Sequence, residues 1–281
     1  MNEVKIKSYA KVNLGLQVLN KRPDSYHNIN TVFSRIDLFD QLTISESKDL
    51  SLSCNIDLGI PSNENLAFKA AEKFLKRIKL DKKVNIDIIK NIPAGGGLGG
   101  GSSNAAYTLL AIAELFDLKD SYKDMLIVAQ SLGSDIPFFL KKGAAVGRSR
   151  GEKLEYFTNS LNKPVLIINP GIHVSTPLAY QSLNRSDEKR RQLNFRSIIE
   201  KSKDNLTLLK EFIINDFEKA VFAKHPEIKA IKEKLYGNNA EFALMSGSGS
   251  TLYGVFNNDN DANNAALNFN QYFNVITKFI N

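Results

Sequence analysis

The stretch that most constrains this chain is Pro93-Ala94-Gly95-Gly96-Gly97-Leu98-Gly99-Gly100-Gly101-Ser102-Ser103-Asn104-Ala105-Ala106, which holds six of its 17 glycines. Val84, Ile86 and Ile88 alternate with polar residues before it, the period of a strand. Ala105, Ala106, Leu109, Ile112, Ala113 and Phe116 recur after it at helical steps. The segment therefore predicts strand, glycine loop, helix. Glycines let a backbone approach an oxyanion closely. A helix N-terminus adds unpaired N–H groups and a positive dipole end. Ser102, Ser103 and Asn104 are N-cap types whose side chains could also reach phosphate or a magnesium-bound oxygen.

Two familiar phosphate loops fit poorly. No Gly-Lys-Ser/Thr ending follows, which excludes a Walker A loop. Gly95, Gly97 and Gly100 match the dinucleotide spacing literally, but a glycine-dense run matches it by chance, and no alternating βαβ series surrounds it. A flexible linker is the bland alternative, and a linker has no need of an apolar helix directly behind it.

The rest of the chain sets broad bounds. Its 281 residues allow one large or two modest domains with ample core. One cysteine, Cys54, rules out an intrachain disulfide and a cysteine metal cluster and fits a reducing cytoplasm. The three histidines are widely separated. The first residues alternate charged and apolar types, unlike a signal peptide. No apolar run reaches the ~18–20 residues that span a membrane. A formal charge of +7 fits nucleic acid or anionic small molecules such as ATP and diphosphates. The lysines are scattered and no zinc-finger or arginine-rich motif occurs, which argues against nucleic acid.

Along the chain, residues 4–18 alternate as a half-buried strand, with Lys11 and Asn13 on its polar face. By pattern alone these two are solvated. Lys21 to His27 is a turn by composition, with Tyr26 and His27 reading as a surface aromatic pair. Short strands are expected at 32–36, 41–45 and 50–56. An amphipathic helix is expected over 63–80, capped by Ser62 or Asn63. Lys90 reads as an exposed strand-end lysine. A helix over 121–132 leads to Gly133-Ser134-Asp135-Ile136-Pro137, where Asp135 caps a turn or does chemistry. Residues 143–151 read as a strand and turn, and 163–171 as a buried strand and turn. Thr176 and Pro177 open a helix, with Tyr180 a packing residue or a ligand contact. Residues 184–205 are charged and read as a mobile surface connection, and 206–235 as helical. Phe242 to Phe256 reads as strand, glycine loop, strand, with a tight hairpin as its simplest meaning. A helix over 262–272 and a strand over 275–280 close the chain.

Three of these stretches together resemble the GHMP kinases: Ala10-Lys11-Val12-Asn13-Leu14-Gly15-Leu16, the glycine loop with its Ser-Ser-Asn-Ala-Ala tail, and Ser246-Gly247-Ser248-Gly249-Ser250-Thr251. The resemblance covers nearly the whole chain. It implies an α+β fold, with a ribosomal S5 domain 2-like N-terminal domain over residues 1–155 and a ferredoxin-like C-terminal domain over 156–281. The active site is then expected in the cleft between them. ATP is the implied co-substrate, with Mg2+. Residues Pro93, Ala94, Gly95, Gly96, Gly97, Leu98, Gly99, Gly100, Gly101, Ser102 and Ser103 are implied to hold ATP, together with Lys90. Lys11 and Asp135 are implied as catalytic, paired with each other. Tyr26-His27 is similar to the pyrimidine-contacting pair of one branch, which phosphorylates a cytidine diphosphate-linked methylerythritol. In that branch Asn13, Thr176 and Tyr180 also face the acceptor, with Tyr180 sandwiching the cytosine opposite Tyr26. Glycine is usual there at the position of Ser25, so a positive φ at Ser25 would be strained. The third motif is expected to pack against the nucleotide loop. Such an enzyme works on small molecules, with no nucleic-acid or membrane partner, in the cytoplasm, as a monomer or weak homodimer. A homoserine- or mevalonate-type kinase would share the ATP loop, and an RNA-binding module would share the S5-type domain.

Overall fold

The computed structural model describes residues 3–183 and 190–281. They form two compact units interleaved along the chain. Unit 1 comprises Met1–Ala10, Leu38–Ala94 and Gly99–Lys142, and unit 2 Lys11–Asp37, Gly95–Leu98 and Gly143–Asn281. The long strands β1 (Glu3–Lys21) and β2 (His27–Ser47) pair with each other and contribute residues to both.

In unit 1, β2 is followed by β3 (Ser51–Cys54), α1 (Leu66–Arg77), β4 (Lys83–Ile89), α2 (Gly100–Leu115) and α3 (Tyr122–Leu132). Strand β4 lies antiparallel to β2, with Ile44 opposite Ile86, and parallel to β3. Helices α1 and α2 pack together over this layer. Their buried side chains include Ala67, Ala70, Phe74, Ala105, Ala106, Leu109 and Ile112. The cap of α1 is Asn65, whose Oδ1 accepts from Ala67 N at 2.9 Å, rather than Ser62 or Asn63. Those two lie in a preceding 3-10 turn.

Unit 2 adds β5 (Ala144–Ser149), β6 (Lys153–Phe157), β7 (Pro164–Asn169), α4 (Thr176–Gln181), α5 (Phe195–Lys201), α6 (Thr207–Phe212), α7 (Glu218–Lys224), α8 (Pro226–Gly237), β8 (Phe242–Met245), β9 (Leu252–Val255), α9 (Asp259–Ala266) and β10 (Phe273–Ile280). Strand β7 lies between β9 and β10, β8 borders β9, and the end of β10 meets β2 at Ile36. Strand β5 pairs with β2 and with β6. One apolar cluster joins β1, β7, α7, α8 and α9, with Phe217, Phe256 and Phe269 fully enclosed. Each such side chain contributes about 1.5–3 kcal/mol on burial.

Four expectations change. The polar alternation of β1 holds only near its start; from Ala10 to Leu19 every residue is buried, including Lys11, Asn13 and Gln17. The strands expected at 32–36 and 41–45 are one continuous strand, with residues 37–40 extended between them. Of the surface connection expected over 184–205, residues 184–189 lie outside the described residues. The remainder is docked. Leu193 N donates to Gln17 Oε1 at 2.8 Å, and Asn30 Nδ2 donates to Leu193 O at 2.9 Å. Helix α5 then buries Phe195 and Ile199. Finally, the helical stretch 206–235 breaks at Asn215, where the backbone bonds Leu16 through Leu16 N to Ile214 O and Asp216 N to Leu16 O.

Candidate active site

The crest of the glycine loop, residues 95–98, is clasped inside unit 2. Gly97 O accepts from Lys11 Nζ at 3.1 Å and from Ser246 Oγ at 2.9 Å. Thr251 N donates to Gly96 O at 3.2 Å and Lys11 N to Leu98 O at 3.0 Å. A side chain on Gly96 would collide with Asn169 and Thr251, and one on Gly97 with the Ser246 carbonyl. The third motif therefore packs against the loop crest as expected, and the Ser246 carbonyl leaves no room for a Cβ at Gly97.

Lys11 and Asn13 belong to the same network. Lys11 Nζ donates to Asn13 Oδ1 at 2.7 Å, and Asn13 Nδ2 donates to Thr31 Oγ1 at 2.8 Å. Thr31 passes the chain on to Gly15 O. Tyr253 OH donates to Asn13 O at 2.9 Å, and burial pushes its pKa well above the ordinary value, so it stays a neutral donor. A buried ammonium is tolerable only where polar partners replace water, and here they aim it at the loop. Two further asparagines brace the arrangement, and the motifs did not disclose them. Asn169 Nδ2 donates to Thr251 Oγ1, and Asn215 Nδ2 donates to Met245 O and Gly247 O at 2.7 and 2.8 Å. Asn169 ends β7, and Asn215 lies where the expected helical run breaks.

A second feature of unit 2 is a cavity of about 620 Å³ lined by Lys21, Ser25, Tyr26, His27, Arg150, Thr176, Pro177, Tyr180 and Gln181. It brings together Tyr26, His27, Thr176 and Tyr180 from distant parts of the chain. Tyr180 stacks on His27, with centroids 5.3 Å apart and planes 16° apart, while Tyr26 lies under the Arg150 guanidinium at 5.0 Å. A base between two rings needs about twice the ~3.5 Å contact distance. At 5.3 Å the His27 and Tyr180 rings leave no room for a flat group between them. The turn itself is built by Arg22, which bonds the Asp24 carboxylate, Asn28 Oδ1 and Ser149 Oγ. The hydrogen bond from Arg22 holds the Asp24 carboxyl below its usual range. Ser25 takes φ 66°, the left-handed value that glycine adopts without strain. Thr176 bonds Ser248 through the two hydroxyls.

In unit 1, α2 begins at Gly100 with Gly99 as its cap at φ 70°, so Ser102, Ser103 and Asn104 lie inside the helix rather than capping it. Ser103 Oγ donates to Tyr9 O at 2.6 Å and also meets Ser8 Oγ, which ties the helix to β1. Ser102 is part-exposed and Gly101 exposed. Lys90 is not an exposed strand-end lysine: it is buried in an ion pair with Asp40. Asp135 starts the 3-10 turn Ile136–Leu140 without capping it through its side chain. It is partly exposed at the edge of a fully buried Ile136-Pro137-Phe138-Phe139 run. Among the described residues no three His, Cys, Asp or Glu side chains cluster to cage a metal.

Phosphoryl transfer requires little of a protein beyond positioned charge and an in-line acceptor. The hydrogen bonds around residues 96–98 hold the loop crest in one place, as such a reaction requires. A family model for the GHMP kinases N terminal domain matches residues 65–143, and one for the GHMP kinases C terminal domain matches residues 190–275. The chain belongs to the GHMP kinases and, as such, is an ATP-dependent small-molecule kinase of that α+β fold. It is similar to 4-diphosphocytidyl-2-C-methyl-D-erythritol kinase of Chlorobium phaeobacteroides, at 38% identity over 98% of this chain and 96% of that one. A solved 4-(cytidine 5'-diphospho)-2C-methyl-D-erythritol kinase superposes with a TM-score of 0.84 at 32% identity, covering 99% of this chain and 100% of the other. Homoserine kinase from Cytophaga hutchinsonii, at 17% identity and a TM-score of 0.72 over 100% of this chain and 96% of that one, shares the fold. The chain groups with the first branch of the family. No described helix is long and apolar enough to cross a membrane.

Proposed function

We propose that this kinase transfers the γ-phosphoryl group of ATP to the 2-hydroxyl of 4-diphosphocytidyl-2-C-methyl-D-erythritol, in the cytoplasm, as a step toward isoprenoid precursors. The observation that carries this reading is the near full-length similarity to proteins of that name. The aromatic and cationic cavity of unit 2 supports it, since a cytidine diphosphate offers a flat base and an anionic tail. In this reading the loop from Pro93 to Ser103 cradles the ATP phosphates through backbone N–H groups and the dipole of α2. Lys11 stabilises charge developing on the transferred group. Asp135 accepts the acceptor's hydroxyl proton, or orients the hydroxyl as it attacks. Asn13, Tyr26, His27, Thr176 and Tyr180 position the acceptor. Magnesium fits as an ion brought by the nucleotide, since a hard cation needs only one or two protein oxygens beside phosphate. Ser102, part-exposed in the first turn of α2, would hold it beside the phosphates, and the ion would neutralise phosphate charge.

The test is ADP release from Mg-ATP with three acceptors in parallel: the diphosphocytidyl compound, homoserine and mevalonate. Turnover with the first alone is expected. Turnover with another acceptor, or with none while ATP binds, overturns the acceptor assignment.

A further inference from the structure

Asp40 belongs to no motif, yet it is completely buried and accepts four hydrogen bonds. Its Oδ1 accepts from Asn91 N and Ile92 N, both at 2.8 Å. Its Oδ2 accepts from the Lys90 ammonium and from Asn104 Nδ2, the latter at 2.9 Å. Lys90 Nζ also donates to Asn104 Oδ1 at 3.3 Å, and Asn104 Nδ2 to Ser8 Oγ at 3.0 Å. The donors come from two places. Residues 90–92 are the last before Pro93, where the glycine loop leaves β4. Asn104 is in the opening turns of α2, where the loop ends. A Cβ on Gly100 would stand 3.0 Å from Lys90 Nζ and 3.1 Å from Ile92 Cγ2, so the helix start rests directly on these side chains.

Stability alone is a weak reason for such a group. A buried ion pair repays its desolvation poorly, and apolar residues of similar volume are often as stable. A fully bonded pair does, however, define one geometry. We propose that Asp40 is a positioning residue for the nucleotide, fixing both ends of the glycine loop so that the first N–H groups of α2 meet the phosphates. Lys90 acts through Asp40 and Asn104, and its ammonium is spent on that frame rather than on phosphate. This rests on the assignment of the loop to ATP.

Four variants test it: Asp40→Asn, Lys90→Met, the double variant, and Asn104→Ala. Asn104→Ala cuts a tether to α2 while leaving the ion pair whole. It is expected to raise the KM for ATP about 10-fold, with kcat within about 3-fold of wild type and the acceptor KM within about 2-fold. Asp40→Asn and Lys90→Met are each expected to raise the KM for ATP at least about 10-fold, and the double variant no further than the worse single one. Single effects that multiply in the double variant would mean that Lys90 contacts the nucleotide independently, and the proposal fails. It also fails if the variants lower Tm while the KM for ATP stays put. If a lone charge change prevents folding, the neutral double variant and Asn104→Ala carry the decision. The dissociation constant of ATP, read from nucleotide-dependent thermal shifts, needs no acceptor. A wrong acceptor therefore leaves this test intact.

Discussion

Two glycines of one loop should respond oppositely to the same methyl group. Gly97 has φ 81°, and a Cβ there would lie less than 3.0 Å from Ser246 O, with the carbonyl carbon at 3.1 Å. Left-handed backbone costs an L-residue about 1–2 kcal/mol. Relieving the collision moves Gly97 O away from two donors, the Lys11 ammonium and Ser246 Oγ. Their hydrogen bonds are worth about 1.5–3 and 0.5–1.5 kcal/mol, and partial loss of both adds about 2 kcal/mol. Gly97→Ala should therefore destabilise by about 3–4 kcal/mol, lowering Tm by about 6–16 °C at ~2–4 °C per kcal/mol. Gly101 sits inside α2, where the nearest atom to an added Cβ is Leu66 Cδ1 at 3.9 Å. Alanine is favoured over glycine in a helix by up to about 1 kcal/mol, so Gly101→Ala should raise Tm slightly. Thermal unfolding of the three proteins, with kinetics in ATP, reads both effects. Because Lys11 loses the Gly97 carbonyl that holds it, kcat/KM for ATP should fall about 30-fold in Gly97→Ala, the equivalent of ~2 kcal/mol. Equal Tm values for the two variants, or a Gly97→Ala enzyme with wild-type kinetics, would refute the claim that the third motif locks the loop crest.

Three other outcomes are expected. Asp135→Asn should lower kcat about 100-fold or more with both KM values within about 3-fold, the scale of a positioned acid–base; near wild-type kcat removes that role. Tyr180→Ala should raise the acceptor KM at least about 5-fold without altering the KM for ATP, since stacking a base on an aromatic ring is worth ~1–3 kcal/mol. An unchanged acceptor KM would make Tyr180 a packing residue against Phe217, which its ring meets edge-on at 4.8 Å. Ser25→Gly should leave stability the same or raise it by up to about 1 kcal/mol, because relief at φ 66° offsets the added freedom of the unfolded chain; a clear loss in urea unfolding would show that the serine side chain supports the turn.

What could be read from the chain alone was whatever its local order encodes. The strand–loop–helix at residues 84–116 was legible because period and glycine content change abruptly there. The strand pair around Ser246–Thr251 was legible for the same reason. Resemblance to GHMP kinases rested on contiguous motifs and carried the fold and the ATP chemistry with it. Tertiary structure decided the rest. Lys11 and Asn13 occupy the polar face of an alternating strand, and only packing on both sides of β1 reveals that this face is buried. Lys90 looks like a surface lysine until Asp40, fifty positions away, is found against it. Asn169 and Asn215 hold the third motif from segments with no local mark of function. Which ring stacks on Tyr180 is likewise set by where a turn and a remote helix meet. Propensity and periodicity are properties of neighbours along the chain, so they specify elements. The partners of a buried charge, and the close approach of one backbone to another, depend on residues far apart in sequence, and only the folded chain specifies them.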